Sequence, residues 1–279
     1  VRTTTLGRMC GRYAASRRPE DLAGLFDVTL WDPENPLPAD WNVAPTKEVH
    51  AVLERPVRGE GPEPVRQLRA LRWGLVPSWA KSPEGAARMI NARAETVHEK
   101  TSYRRPFAAR RCLIPADGYY EWITGDAERA QEEKGKRKRP RKQPYFVTPL
   151  DGSVMAFAGL YEFWRDRTLP DDHPSAWWAT CTVVTTEADG EPLPEPAGDN
   201  GPRTLADIHP RMPVVLPRDR WDSWLDPART DPEAVRPLLT GLPTGRFVAF
   251  PVPGDVSNVR NNGPDLLRRL TAPEAETLF

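Results

Sequence analysis

Along most of this chain apolar residues alternate with polar ones or gather in short runs, which predicts strands more often than long helices. Residues 47–54 alternate, residues 55–64 break the run with Pro and Gly, and residues 65–76 resume it, ending in Leu71-Arg72-Trp73-Gly74-Leu75-Val76. That is a strand–turn–strand pattern. Further strands are predicted at 111–115, 119–123, 144–149, 154–164, 177–186 and 212–216, and another near 246–252. Helical signals are fewer. Residues 19–27 place acids first and apolar residues on one face, and helices are also predicted near 98–108, 217–225 and 231–239. This balance predicts one α+β domain, with a mainly antiparallel, barrel-like sheet core and flanking helices.

Two segments interrupt the pattern. Residues 126–143 open with Glu128, Glu132 and Glu133 and continue with Lys134, Lys136, Arg137, Lys138, Arg139, Arg141 and Lys142. The run lies between two predicted strands and reads as an extended hairpin loop, either a solvated tip or an auxiliary phosphate-binding arm. Residues 187–205 are acidic and rich in Pro and Gly, which predicts a flexible loop. Strand-like sequence resumes after each, so neither marks a boundary, and one domain is expected over 9–279.

Composition narrows the classes. Of 279 residues 39% are hydrophobic and ten are Trp, enough to fill a core and to exclude global disorder. The 39 basic and 39 acidic side chains cancel, so any affinity for nucleic acid must come from local clustering. Cys10, Cys112 and Cys181 are widely spaced and odd in number. That suits a reducing cytoplasm, not a disulfide framework or a zinc site. No apolar run approaches a membrane span, and no signal-peptide core stands at the start. Cys112 and Cys181 lie in apolar runs and read as packing residues.

The tetrapeptide Met9-Cys10-Gly11-Arg12 carries the sharpest chemistry. Inside a chain it holds an ordinary thiol. If translation starts at Met9 and the Met is trimmed, Cys10 becomes the first residue. Val1 is what a reading frame opened at a GTG codon would give, so residues 1–8 are expected to be an untranslated extension or a removed leader. A first-residue cysteine is a 1,2-aminothiol, with amine and thiol both partly deprotonated near neutral pH. It captures aldehydes: the amine forms a Schiff base and the sulfur closes a five-membered thiazolidine.

Compact polar-aromatic clusters follow in order. They are Trp41-Asn42-Val43-Ala44-Pro45, Arg72 to Trp79, Ile90-Asn91-Ala92-Arg93-Ala94-Glu95, Gly118-Tyr119-Tyr120-Glu121-Trp122 and Ile208-His209-Pro210-Arg211-Met212-Pro213. With Met9-Cys10-Gly11-Arg12-Tyr13 they closely resemble the SRAP family, the SOS-response-associated peptidases or abasic site processing proteins. The resemblance runs from Met9 to about Asn262. It implies that the chain binds single-stranded DNA carrying abasic sites and cross-links the ring-opened deoxyribose to Cys10 as a thiazolidine, shielding the lesion.

The resemblance also assigns residues. Cys10 matches the family's nucleophile, Glu121 its catalytic glutamate, His209 its histidine and Asn91 its asparagine. A partly buried Glu121 among aromatics would shuttle protons in Schiff-base formation. His209 would protonate the hemiacetal oxygen, and Asn91 would hold the amine or polarise the sugar. Arg12, Arg93 and Arg211 flank these positions and are expected on phosphates. Asn42 is expected beside them, and Pro45 and Trp79 would wedge or stack against bases. Ala80 departs from the pattern, since many relatives carry a second aromatic there. His50, His98 and His173 read as inert. No metal or organic cofactor is expected, and a monomer is. Two rival readings stay open: a cysteine peptidase using Cys10 and His209 that removes its own leader, and a non-catalytic single-strand-binding module. Lyase chemistry at the same sugar is a further expected side reaction.

Overall fold

The computed structural model describes residues 11–57, 59–124, 142–195 and 201–271. In chain order its strands and α-helices are β1 (Tyr13–Ala15), α1 (Pro19–Leu25), β2 (Asp40–Val43), β3 (Glu48–Pro56), β4 (Pro64–Trp73), β5 (Asn91–Arg93), α2 (Arg104–Ala109), β6 (Arg111–Ala116), β7 (Gly118–Thr124), β8 (Lys142–Pro149), β9 (Met155–Arg165), β10 (Trp177–Glu187), α3 (Leu205–Ile208), β11 (Arg211–Pro213), α4 (Trp221–Leu225), α5 (Pro232–Val235) and β12 (Phe247–Pro251). Among the described residues no helix is long and apolar enough to cross a membrane.

The strands make two sheets. One has the order β12-β8-β7-β1-β2, antiparallel throughout. The other runs β10-β4-β3-β6-β9 and closes on itself where β9 pairs β10, giving the expected barrel-like core. Closure removes the free edges that an open sheet would expose. The last residues of β10 carry two short strands, β5 in parallel and β11 antiparallel. This is the α+β architecture the pattern predicted.

Alternation decides which sheet face meets which core. On β7, Tyr119 and Ile123 pack into the central cluster with Tyr13, Tyr145, Cys181, Leu205 and Ile208. Tyr120 and Trp122 face the other way, onto Ala14, Phe146 and Val252. Gly118 opens the strand because a Cβ there would meet both Phe146 Cζ and the Val147 carbonyl at 2.4 Å. A second cluster under α1 and α4 joins Leu22, Phe26, Trp221 and Trp224 to the outer barrel face.

Two features differ from the sequence reading. The helix predicted over 98–108 begins only at Arg104. A start at 98 would put Pro106 inside the helix, where it lacks an N–H and clashes one turn back, whereas the first turn tolerates it. Residues 187–205 are more structured than a flexible loop wherever they are described. Glu187 still belongs to β10, Pro192 bridges Thr204, and Leu193 is buried. The other insertion, 126–143, lies outside the described residues as far as 141, and β8 takes up the chain at Lys142.

Candidate active site

One wall of the site comes from the five-stranded sheet. Tyr13 pairs with Tyr119, and the Tyr120 N–H donates to the Arg12 carbonyl at 3.0 Å. Glu121 is 5% exposed on β7, on the face shared with Tyr119 and Ile123. Its side chain is engaged within the protein. The helix α3 packs against β7, and His209 is the next residue after that helix. A capping box fixes its start: Thr204 Oγ1 accepts from the Asp207 N–H at 3.1 Å and Asp207 Oδ2 accepts from the Thr204 N–H at 2.8 Å. The His209 N–H closes the helix on the Leu205 carbonyl at 3.0 Å.

The end of β10 supplies the other wall. Asn91 pairs with Val183 and Arg93 with Thr185 on one side, while Pro213 pairs with Thr185 and Arg211 with Glu187 on the other. The predicted asparagine and histidine segments thus flank five residues of a single strand, 183–187, and overlap at Thr185. The Asn91 carbonyl accepts from Tyr103 Oη at 3.2 Å, and burial pushes the Tyr103 phenol up to about 12. His209 Nδ1 accepts from the Arg211 N–H at 3.1 Å. The Arg211 carbonyl lies equally near, at 3.1 Å, so Nδ1 has an acceptor for the ring forms that carry a proton there and a donor for the form that does not.

The expected DNA-contacting residues divide. Arg93 and Trp79 are exposed, Trp79 at 59%, and Pro45 is half-buried. Arg12 is half-buried: Nη1 donates to Asn42 Oδ1 at 2.7 Å and to the Val256 carbonyl at 2.8 Å, and its guanidinium lies 5.7 Å from the centre of the Trp122 ring. Asn42 is not at the surface. It is 0% exposed, and its Nδ2 reaches the carbonyls of Val256, Asn258 and Asn261, pinning the C-terminal segment under β2. Arg211 is also buried, at 7%, with its two terminal nitrogens 2.5 and 3.0 Å from the oxygens of Glu95. Burial alone would raise the Glu95 carboxyl, but the bonds from Arg211 outweigh it and hold the group below its ordinary value. Both side chains therefore brace neighbouring elements of this fold.

Sequence reasoning passed over Glu95, although its alternation with Asn91 and Arg93 was the available signal. It also passed over Trp177, exposed at 59% where β10 begins. Ala80 packs against Trp164 and Trp178, and its carbonyl accepts from Trp164 Nε1 at 2.7 Å. Cys112 and Cys181 are fully buried, as expected for packing residues, and burial raises both thiol pKa values, so neither supplies a thiolate near neutral pH. Cys10, with residues 1–8, lies outside the described residues. Among the described residues no group of three or more His, Cys, Asp or Glu could hold a metal ion.

A closed barrel beside an antiparallel sheet, with a buried acid on β7, a histidine seated after α3 and an exposed arginine on β5, defines a single-domain α+β protein with a polar site at strand ends. The chain belongs to the SOS response associated peptidase (SRAP) family, whose model matches residues 9–259. It is 34% identical over 260 residues to the abasic site processing protein YoqW of Bacillus subtilis, across 93% of this chain and 99% of that relative. It is 29% identical over 266 residues to the abasic site processing protein YedK of Escherichia coli, across 93% and 99% of the two chains. The fold is similar to that of a solved protein from Bacteroides thetaiotaomicron, with a TM-score of 0.71 at 22% identity over 94% of this chain and 100% of the other.

Proposed function

We propose that this protein binds single-stranded DNA and captures abasic sites through Cys10. The observation that carries the reading is the division among thiols: Cys112 and Cys181 are buried and inert, which leaves Cys10 as the reactive one. Two peptide links join Cys10 to Arg12, so covalent geometry keeps their Cα atoms within about 7 Å. Arg12 in turn pairs with Tyr120, the neighbour of Glu121. The relatives' description as abasic site processing proteins supplies the substrate class.

The reaction requires Cys10 to be the first residue, with a free α-amine. The ring-closed deoxyribose opens to an aldehyde as the His209 imidazolium, its Nδ1–H on the Arg211 carbonyl, gives the Nε2 proton to the ring oxygen. The bond from that oxygen to C1 breaks, and the proton of the anomeric hydroxyl passes through water to Nε2. The amine attacks the aldehyde carbon, and Glu121 takes a proton from nitrogen and returns one to the departing hydroxyl. One C–N bond forms and the C=O is lost as water. The sulfur then adds to the iminium carbon, forming a C–S bond and closing the thiazolidine. Net change is loss of one water, with no oxidant or reductant. Arg12 and Arg93 would hold the flanking phosphates, and Trp79 would stack against a base.

The test uses protein beginning at Cys10 with abasic and intact single strands on a denaturing gel. A heat-stable adduct with the abasic strand alone is expected, absent in Cys10→Ala and at most reversible in Cys10→Ser. An undiminished stable adduct in Cys10→Ala contradicts the reading.

A further inference from the structure

Arg211 offers both ends of its peptide unit to His209. Its N–H and its carbonyl each lie 3.1 Å from Nδ1. The N–H serves the neutral Nε2–H ring, which has a lone pair on Nδ1. The carbonyl serves the imidazolium and the neutral Nδ1–H ring, whose Nδ1 carries a proton. With Nδ1–H on the carbonyl, Nε2 gives a proton from the imidazolium and takes one back as the neutral ring. A seat of this kind works only if the Arg211 backbone does not shift, because a displacement of one ångström can cost about 10²-fold in rate.

The pairing of β11 with β10 sets that backbone, and the Arg211 side chain adds a second hold on it. Nη1 and Nη2 fork onto Glu95, and Nη2 also donates to the Thr185 carbonyl at 2.7 Å. The same carbonyl accepts from the Ala94 N–H at 2.9 Å. Glu95 follows β5, Thr185 belongs to β10 and Arg211 opens β11, so one carboxylate and one carbonyl tie three strands together. A two-pronged Arg–carboxylate pair fixes direction as well as distance. The burial of Arg211 also removes it from the set of side chains open to solvent.

We infer that Glu95 is a positioning residue: through Arg211 it holds the His209 ring by Nδ1 in one tautomer, leaving Nε2 for proton transfer, and ties it to the strand that carries Asn91, while cancelling the charge of Arg211. This rests on the proposed role of His209. It yields an unusual pair of effects. Removing the Glu95 charge should slow cross-linking yet leave DNA affinity unchanged or higher, because Arg211 loses its counter-charge. A side chain needed only for folding, or only to aim Arg211 at phosphate, would lower both together.

The experiment compares wild type, Glu95→Gln and Glu95→Asp, all beginning at Cys10 and all with ¹⁵N-labelled histidine. Spectra are taken about two pH units above the ordinary histidine value of about 6.5, and His209→Gln assigns the signal among the four histidines. Three quantities are read: the His209 tautomer, the single-turnover cross-linking rate and the affinity for an intact single strand. In Glu95→Gln the expected result is mixed tautomers, a rate about 10²-fold lower, and affinity held or raised. If Glu95→Gln does not fold, Glu95→Asp keeps the charge on a shorter arm and should show the same changes in smaller measure. An undisturbed tautomer, an unchanged rate, or affinity falling in step with rate overturns the inference. If wild type forms no adduct, the proposed function fails, and the tautomer comparison alone still decides whether Glu95 seats His209.

Discussion

Arg12 on the sheet wall and Arg211 on the barrel wall stand close in sequence to residues expected to be catalytic, yet the fold uses them differently. Arg12 is held by neutral acceptors, the Asn42 amide oxygen and the Val256 carbonyl, over the Trp122 ring. Its nearest carboxylate neighbour, Asp40, already forms an ion pair with Lys47 at 2.6 Å. Partial burial lowers the Arg12 pKa, but a guanidinium stays charged at any pH near neutral, so the sheet wall keeps a positive charge. On the barrel wall Arg211 is neutralised by Glu95. The positive charge of that wall therefore falls to exposed Arg93, two residues from Asn91. Two arginines in similar sequence settings can be held by neutral acceptors in one case and by a carboxylate in the other.

The comparison can be broken or sharpened by substitution. The largest effects should fall on the chemistry. Glu121→Gln and His209→Ala are each expected to slow single-turnover cross-linking by about 10²–10⁴-fold with little change in strand affinity. Unchanged rates would remove them from the mechanism. Next comes the brace behind Arg12. Asn42→Ala strips three carbonyls and Arg12 Nη1 of a buried partner. It should cost about 1–3 kcal/mol for a buried group left unsatisfied, read as a lower denaturant midpoint. No loss would mean that the C-terminal segment is held by something else. Thr204→Ala removes the cap of α3 and should cost about 1 kcal/mol by the same measurement.

The smallest effect is also the most specific to the comparison. Arg93→Ala should weaken binding to abasic and intact strands alike and make the salt dependence shallower by about 0.7 in log–log slope, the value for one phosphate on a single strand. Arg211→Ala should leave that slope unchanged, because its guanidinium is held on Glu95 and away from phosphate, although the freed Glu95 charge should weaken binding at every salt concentration. Fluorescence anisotropy across a salt series separates the two. If Arg211→Ala flattens the slope and Arg93→Ala does not, the assignment of charge to the two walls is reversed.

How much of this could be read from sequence depended on length and on burial. The long strands β3, β4, β9 and β10 announced themselves because eight or more residues give a two-residue period room to show. The strands β1, β2 and β5 were passed over because three or four residues carry no period, and they form by pairing with neighbours set elsewhere in the chain. Those same short strands deliver Arg12, Asn42, Asn91 and Arg93. The clusters named the right neighbourhood of the chain. They did not separate Arg93, which faces water, from Arg211 and Asn42, which hold the neighbourhood together, since that depends on which carboxylate or carbonyl the fold brings alongside.

The central claim is that Cys10 closes a thiazolidine on the abasic sugar. Intact mass spectrometry of Cys10-first protein after incubation with an abasic single strand tests it most directly. The account predicts a species equal to protein plus oligonucleotide minus one water, resistant to heat and lost in Cys10→Ala. Protein recovered at its own mass from abasic strands, or an adduct of the same mass and stability in Cys10→Ala, would contradict it.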